Sequence, residues 1–164
     1  MNILTKGATG FVGSALLRRL ERESYRLRAA FLADEQTDRL PSTLESVVVQ
    51  PLSGSTEFVA ALQGVDVVVN LAARVHLMTD RTADPLAEFR KVNVAGTEQL
   101  ARQSAAAGVH RLVFLSSVKV NNRPTGSLSV DVSKIRKELG WRPPFTMEQG
   151  LAETTTWFLR RGYN

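Results

Sequence analysis

Residues 2–20, NILTKGATGFVGSALLRRL, pass from a short apolar strand through three glycines into a helix. Gly7, Gly10 and Gly13 are spaced three apart, which is typical of a dinucleotide-binding turn between a strand and a helix. We expect Gly7 to turn the chain off the strand, Gly10 to let a pyrophosphate approach the backbone, and Gly13 to bring the helix close. The first N–H groups of that helix would face the phosphates. A glycine-rich turn without a ligand is the alternative.

The rest of the chain alternates strand and helix patterns. Further strands are predicted over 26–32, 46–49, 65–72 and 111–116, and helices over 58–62 and 84–107. The alternation predicts an α/β fold, namely a Rossmann-like doubly wound parallel sheet of about five strands in the order 3-2-1-4-5. A helix over 131–139 and a last amphipathic helix, which begins with a Thr cap at Thr146 and runs to about Arg161, predict a C-terminal helical segment.

Three regions follow from these patterns. Residues 1–121 are predicted to form a dinucleotide-binding Rossmann domain, and 122–127 a polar, turn-rich joint. Residues 128–164 would be the remnant of a C-terminal segment on the substrate side.

Composition excludes several function classes. The chain has 164 residues and no cysteine, so it has no disulfide, thiolate nucleophile or thiolate metal site, and we predict no metal site. No stretch is apolar and long enough to span a membrane, and the chain opens on a strand rather than a signal peptide; we therefore expect a cytoplasmic protein without a membrane partner. The net charge of +5 is scattered, without a basic patch interleaved with aromatic residues, so no nucleic-acid partner is predicted.

Several ordered motifs together carry a family resemblance. They are TKGATGFVG at 5–13, DVVVNLAA at 66–73, VNVAGT at 92–97, FLSS at 114–117, and a tail from Asp131 to Pro143. With these motifs the chain resembles an extended short-chain dehydrogenase/reductase of the nucleotide-sugar epimerase/dehydratase group. Two shorter stretches, RVH at 74–76 and SVKVN at 117–121, look most like members that epimerise or reduce UDP-activated sugars for surface polysaccharides.

The resemblance implies a cofactor, a substrate and a set of site residues. The cofactor would be NAD or NADP, and the substrate a nucleotide sugar, with hydride transfer at C4 of a UDP-hexose in complete members. At the pyrophosphate, the implied cofactor-binding residues are Gly7, Gly10 and Gly13, with the N–H groups of Phe11 and Val12. Beside the adenosine ribose and the phosphates, they are Leu71, Ala72 and Ala73. Asn93 would be a structural polar residue behind the nicotinamide.

Ser117 matches the active-site Ser/Thr of the family. Its hydroxyl would hydrogen-bond the reacting sugar oxygen and help to stabilise charge there. The alternative is a hydroxyl that satisfies a carbonyl at the end of the strand.

The chain departs from the family in its acid/base pair. The family uses a Tyr followed four residues later by a Lys on one helix, but the only tyrosines are Tyr25 and Tyr163, and neither has that Lys. The segment that carries this pair is absent from the sequence after Asn121, and we therefore expect little or no epimerase turnover. The alternative function is a non-catalytic dinucleotide-binding or interaction module, completed by a partner chain or by homo-oligomerisation.

The residues near the adenosine ribose leave the cofactor open. Asp34 lies at about the expected distance from the glycine motif and is the candidate ribose acid, although a solvated loop acid is the alternative. No Arg stands there to hold a 2′-phosphate, so NAD is favoured slightly over NADP. Lys6 replaces the small hydroxyl residue usual before Gly7, and it would either contact a phosphate or extend to solvent.

Overall fold

The structure is a computed structural model that describes residues 1–38, 40–75, 82–116 and 133–160. The chain divides into two compact units, Met1–Ser117 and Val118–Asn164. None of the helices within the described ranges is long and apolar enough to cross a membrane.

The first unit contains a five-stranded parallel sheet. Its strands are β1 (Asn2–Lys6), β2 (Arg26–Phe31), β3 (Glu45–Val48), β4 (Val67–Asn70) and β5 (Arg111–Phe114). They pair in the order β3-β2-β1-β4-β5, which confirms the predicted topology. In this register Lys6, the last residue of β1, stands opposite Ala30 of β2 and Asn70 of β4. The carboxyl ends of the central strands therefore meet at one edge of the sheet, where open α/β sheets bind ligands.

Two apolar clusters cover the two faces of the sheet. Leu4 and Val68 are fully buried on one face, where Leu100 packs with them. Ala29 and Leu17 are fully buried in the second cluster. Alternate residues of a strand point to opposite faces, so the sheet is covered on both sides, as the apolar run in β4 predicts.

The helices of the first unit are α1 (Phe11–Leu20), α2 (Val59–Leu62), α3 (Pro85–Phe89) and α4 (Thr97–Ala106). The single helix predicted over 84–107 begins as expected, because the carboxylate of Asp84 accepts a hydrogen bond from the Ala87 N–H at 2.9 Å. However, a π-helical segment, Arg90–Gly96, separates α3 from α4. Sequence periodicity did not predict this segment, which depends on contacts with distant parts of the chain.

The second unit contains α5 (Ser133–Leu139) and α6 (Met147–Arg160). Thr146 and Gln149 form a reciprocal capping box at the start of α6. The Thr146 N–H donates to Gln149 Oε1 at 2.9 Å, and the Gln149 N–H donates to Thr146 Oγ1 at 3.3 Å. The Thr cap predicted for this helix is therefore confirmed.

Gly13 and Gly150 are both helical glycines, but only Gly13 lacks space for a side chain. A Cβ at Gly13 would lie 2.1 Å from the carbonyl oxygen of Gly7, whereas a Cβ at Gly150 would meet nothing within 4 Å. We expect Gly13→Ala to lower the free energy of unfolding by about 1–3 kcal/mol, because the loop must move. Gly150→Ala is the matched control and should raise the free energy of unfolding by up to about 1 kcal/mol, because Ala has the higher helix propensity. Urea titrations in which both variants behave alike would contradict this packing role.

Candidate functional site

The glycine-rich loop lies directly against the chain that leaves β4. Gly7 has a φ of +81°, and a Cβ there would lie 2.8 Å from the Ala72 nitrogen and 2.9 Å from the Leu71 carbonyl carbon. The Leu71 N–H donates to the Lys6 carbonyl at 2.9 Å and so extends the β1–β4 pairing to this point. The structure thus brings together three residues that the sequence placed in one cofactor site, Gly7, Leu71 and Ala72. Ala73, the next residue, is exposed.

The start of α1 has the features of an anion-binding helix terminus. Gly10, which has no side chain, is the N-cap residue of the helix, and its N–H donates to the Gly7 carbonyl at 3.3 Å. Phe11 and Val12 open the helix and are 40% and 46% exposed. The N–H groups of a first helical turn and the helix dipole favour a negatively charged group.

An acid at the end of β2 contacts the glycine-rich loop, but it is Glu35 rather than Asp34. Glu35 Oε2 accepts a hydrogen bond from the Thr9 hydroxyl, and Oε1 accepts one from the Leu32 N–H at 3.2 Å. Asp34 is exposed. The spacing from the glycine motif indicated Asp34, but spacing alone could not show which of the two adjacent carboxylates faces the loop. Glu35 is thus a candidate site residue that the sequence argument missed, and the role of Asp34 at the ribose stays a prediction.

Lys6 is buried at the same edge of the sheet. Its side chain does not extend to solvent, since the residue is only 3% exposed, and that alternative of the sequence analysis is wrong. Burial lowers the pKa of Lys6 below its ordinary value, and the negative charge of Glu35 opposes part of this effect. A buried cation thus directly precedes the glycine-rich loop, and the acid that binds Thr9 of this loop influences its pKa.

Asn93 holds the chain that follows β4. Its Oδ1 accepts from the Arg74 N–H at 2.7 Å, and its Nδ2 donates to the Arg74 carbonyl at 2.9 Å. The Arg74 guanidinium lies over the ring of Phe89, 5.5 Å from its centroid. The π-helical segment carries Asn93 to this position and also contains Gly96, where a Cβ would lie 2.9 Å from the Cβ of Leu52. Asn93 therefore has a structural polar role, while its place behind the nicotinamide stays a prediction.

Ser117, the candidate catalytic residue, lies outside the described residues. Its role stays a prediction.

Comparison with known proteins identifies the family. A family model described as the NAD dependent epimerase/dehydratase family matches residues 3–138. The chain belongs to this family. It is 41% identical over 126 residues to the UDP-glucose 4-epimerase of Vibrio cholerae, a match that covers 76% of this chain and 37% of that protein.

Two further proteins are similar to this chain. The 3-beta-hydroxysteroid dehydrogenase of Mycolicibacterium neoaurum is 31% identical over 127 residues, covering 72% of this chain and 32% of that protein. The structure of MoeE5 in complex with UDP-glucuronic acid and NAD is similar with a TM-score of 0.60 at 27% identity, covering 80% of this chain and 42% of that one. The chain thus spans about a third of the length of the Vibrio cholerae and Mycolicibacterium neoaurum relatives.

The buried Lys6 generates a prediction about stability and pH. Its pKa in the folded chain lies below the ordinary value of 10.5, so the unfolded chain binds more protons than the folded chain between these two values. Stability of the native chain should therefore rise from the lowered pKa up to 10.5, by at most about 1.4 kcal/mol for each pH unit in that window. Lys6→Met removes the cost of burying the charge, so it should be more stable than the native chain at pH 7.

This stability advantage of Lys6→Met should shrink as pH approaches 10.5, the ordinary lysine value. Lys91→Met, which changes a lysine whose side chain is 57% exposed, is the matched control and should show no such trend. Thermal unfolding measured from pH 7 upward checks both. A Lys6→Met variant less stable than the native chain at pH 7 would show that the buried charge is not a cost.

Proposed function

We propose that the first unit binds NAD across the carboxyl edge of its sheet. The observation that carries this proposal is the position of the glycine-rich loop, with Gly7 against Ala72 and Gly10 at the N-cap position of α1. Gly7, Gly10 and Gly13 would give the pyrophosphate close access to the backbone, and Phe11 and Val12 would supply N–H donors. The name of the family and the NAD bound to MoeE5 support this choice of cofactor.

The adenosine end of the cofactor would lie between the glycine-rich loop and the ends of β2 and β4. Leu71, Ala72 and Ala73 would pass beside the ribose and the phosphates. The ribose hydroxyls would donate to a carboxylate after β2, for which Asp34 and Glu35 are the candidates. The contact of Glu35 with Thr9 favours Glu35, because that carboxylate already faces the loop. Asn93 would keep the chain after β4 in place beside the cofactor.

The substrate of the complete protein would be a nucleotide sugar. The UDP-glucose 4-epimerase and the UDP-glucuronic acid complex of MoeE5 support this class. Bound NAD would supply a hydride acceptor for C4 of a UDP-hexose. Ser117 would hydrogen-bond the reacting sugar oxygen, and its donor would stabilise negative charge that develops there.

Proton transfer is the step that this sequence does not support. A positioned acid/base contributes typically about 10²–10⁴-fold to the rate. The family's Tyr and Lys spaced by four residues do not occur in the 164 residues, where Tyr25 and Tyr163 are the only tyrosines. We therefore propose a cofactor-binding chain with impaired catalysis.

A non-catalytic module completed by a partner chain is the second candidate function. The edge strand β5 favours it, because Val113, Phe114 and Leu115 at and after its end are 44%, 47% and 51% exposed. Consecutive exposed apolar residues on an edge strand favour association with another chain or a second copy.

Calorimetric titration with NAD tests the cofactor proposal. The native chain should bind NAD, and Gly10→Val should lose at least about tenfold in affinity because its side chain occupies the space of the pyrophosphate. A Cβ at Gly10 would lie 3.3 Å from the Gly7 carbonyl oxygen, a tight contact that requires a small shift of the loop. Circular dichroism checks that the variant is folded.

Gly150→Val, the same change at a helical glycine with open space, is the matched control and should bind NAD like the native chain. If the native chain fails to bind NAD, the cofactor proposal is wrong and the interaction module is the remaining candidate.

Catalytic impairment is tested by incubating the chain with NAD and either UDP-glucose or UDP-galactose. We expect epimer formation at least about 10²-fold below that of the Vibrio cholerae UDP-glucose 4-epimerase assayed in parallel, because the acid/base pair is missing. Epimers would be separated by chromatography, and NADH followed by absorbance. Turnover equal to that enzyme would refute the impairment while leaving cofactor binding intact.

A further inference from the structure

Lys6 combines three properties that make it unusual among the lysines of the described part of the chain. It ends the central strand β1, it directly precedes the glycine-rich loop, and it is 3% exposed. Its strand neighbours are Ala30 and Asn70, neither of which carries a charge. The aliphatic part of the side chain packs well in such a place, but the ammonium loses hydration there and needs a negative group nearby.

Glu35 supplies that negative charge. Its two carboxylate oxygens accept from Thr9 and Leu32, which hold the group at the junction of the loop and the end of β2. The charge of Glu35 raises the pKa of Lys6 against the effect of burial. Lys6 directly precedes the loop whose Thr9 binds Glu35, so the two charges lie at the same end of the sheet. Charges that are partly removed from water are screened much less by salt than surface charges.

This pair of charges bears on the position that separates the two nicotinamide dinucleotides. They differ by a phosphate on the 2′-oxygen of the adenosine ribose. A lone carboxylate after β2 accepts a hydrogen bond from a free 2′-hydroxyl and repels a 2′-phosphate, which is negatively charged. A buried ammonium beside the same carboxylate offsets that repulsion, because it attracts the phosphate in the same weakly screened region.

We propose that Lys6 is a specificity-determining residue whose buried charge, at the same end of the sheet as Glu35, lets the site accept a 2′-phosphorylated dinucleotide as well as the unphosphorylated one. This inference rests on the proposed cofactor site. It assigns the tolerance for a 2′-phosphate to the end of β1 rather than to an arginine after β2.

The test is the ratio of the dissociation constants for NADP and NAD, measured by calorimetry on the 164-residue chain. The native chain should bind NADP less than about tenfold more weakly than NAD. Lys6→Met should raise this ratio of dissociation constants by at least about tenfold. Lys6→Thr is the second variant, since a small hydroxyl residue removes the same charge with a different volume. Lys91→Met, the exposed lysine in the π-helical segment, controls for net charge and should leave the ratio within about twofold.

Each outcome decides one claim. A ratio that rises in both Lys6 variants and stays constant in Lys91→Met supports the proposal. If NAD and NADP both bind but the ratio in the folded Lys6 variants stays within about twofold of the native value, Lys6 does not determine specificity. A native ratio far above tenfold also overturns the proposal, because the site then rejects the 2′-phosphate despite Lys6. Failure of the native chain to bind either dinucleotide overturns the cofactor site itself.

Discussion

The backbone contact between Gly7 and the chain at Leu71 and Ala72 is the constraint on which the rest of the site depends. At 2.8 Å from the Ala72 nitrogen there is no room for a Cβ, and the φ of +81° disfavours any other residue. This approach lets the loop cross the end of the sheet closely, so that α1 can begin at Phe11. Gly13 then packs against the Gly7 carbonyl, which holds α1 against the loop. The terminus of α1 is thereby directed at the carboxyl edge.

Amide side chains stabilise the chain where it leaves the sheet. Beyond Leu71, where the β1–β4 pairing ends, the polar groups of the backbone need other partners. Asn70, fully buried, accepts from the Ala72 N–H at 3.2 Å, and Asn93 binds both backbone groups of Arg74. The π-helical segment has a physical role in this arrangement, because its wider turn carries Asn93 to the loop while Gly96 packs on Leu52. The segment beside the proposed cofactor is thus held without regular secondary structure.

Local pattern predicted the architecture well and the charged part of the site poorly. The strand order and the Thr146 cap were predicted, because alternation of strand and helix and capping chemistry act over a few residues. The assembly of Gly7 with Leu71 and Ala72 was expected only from the family resemblance. The contact of the loop with Glu35 rather than Asp34 was not predicted, because these adjacent residues are both acids and differ only in where their side chains point.

The sequence by itself determined the family, the parallel sheet, the glycine spacing and the absence of the Tyr and Lys pair, because each is a property of residue type and order along the chain. Only the tertiary structure decided that Lys6 is buried, that Glu35 faces the loop and that a π-helical segment interrupts the long helix. Burial and electrostatic partners depend on residues far apart in sequence, which come together only when the sheet and its helices pack.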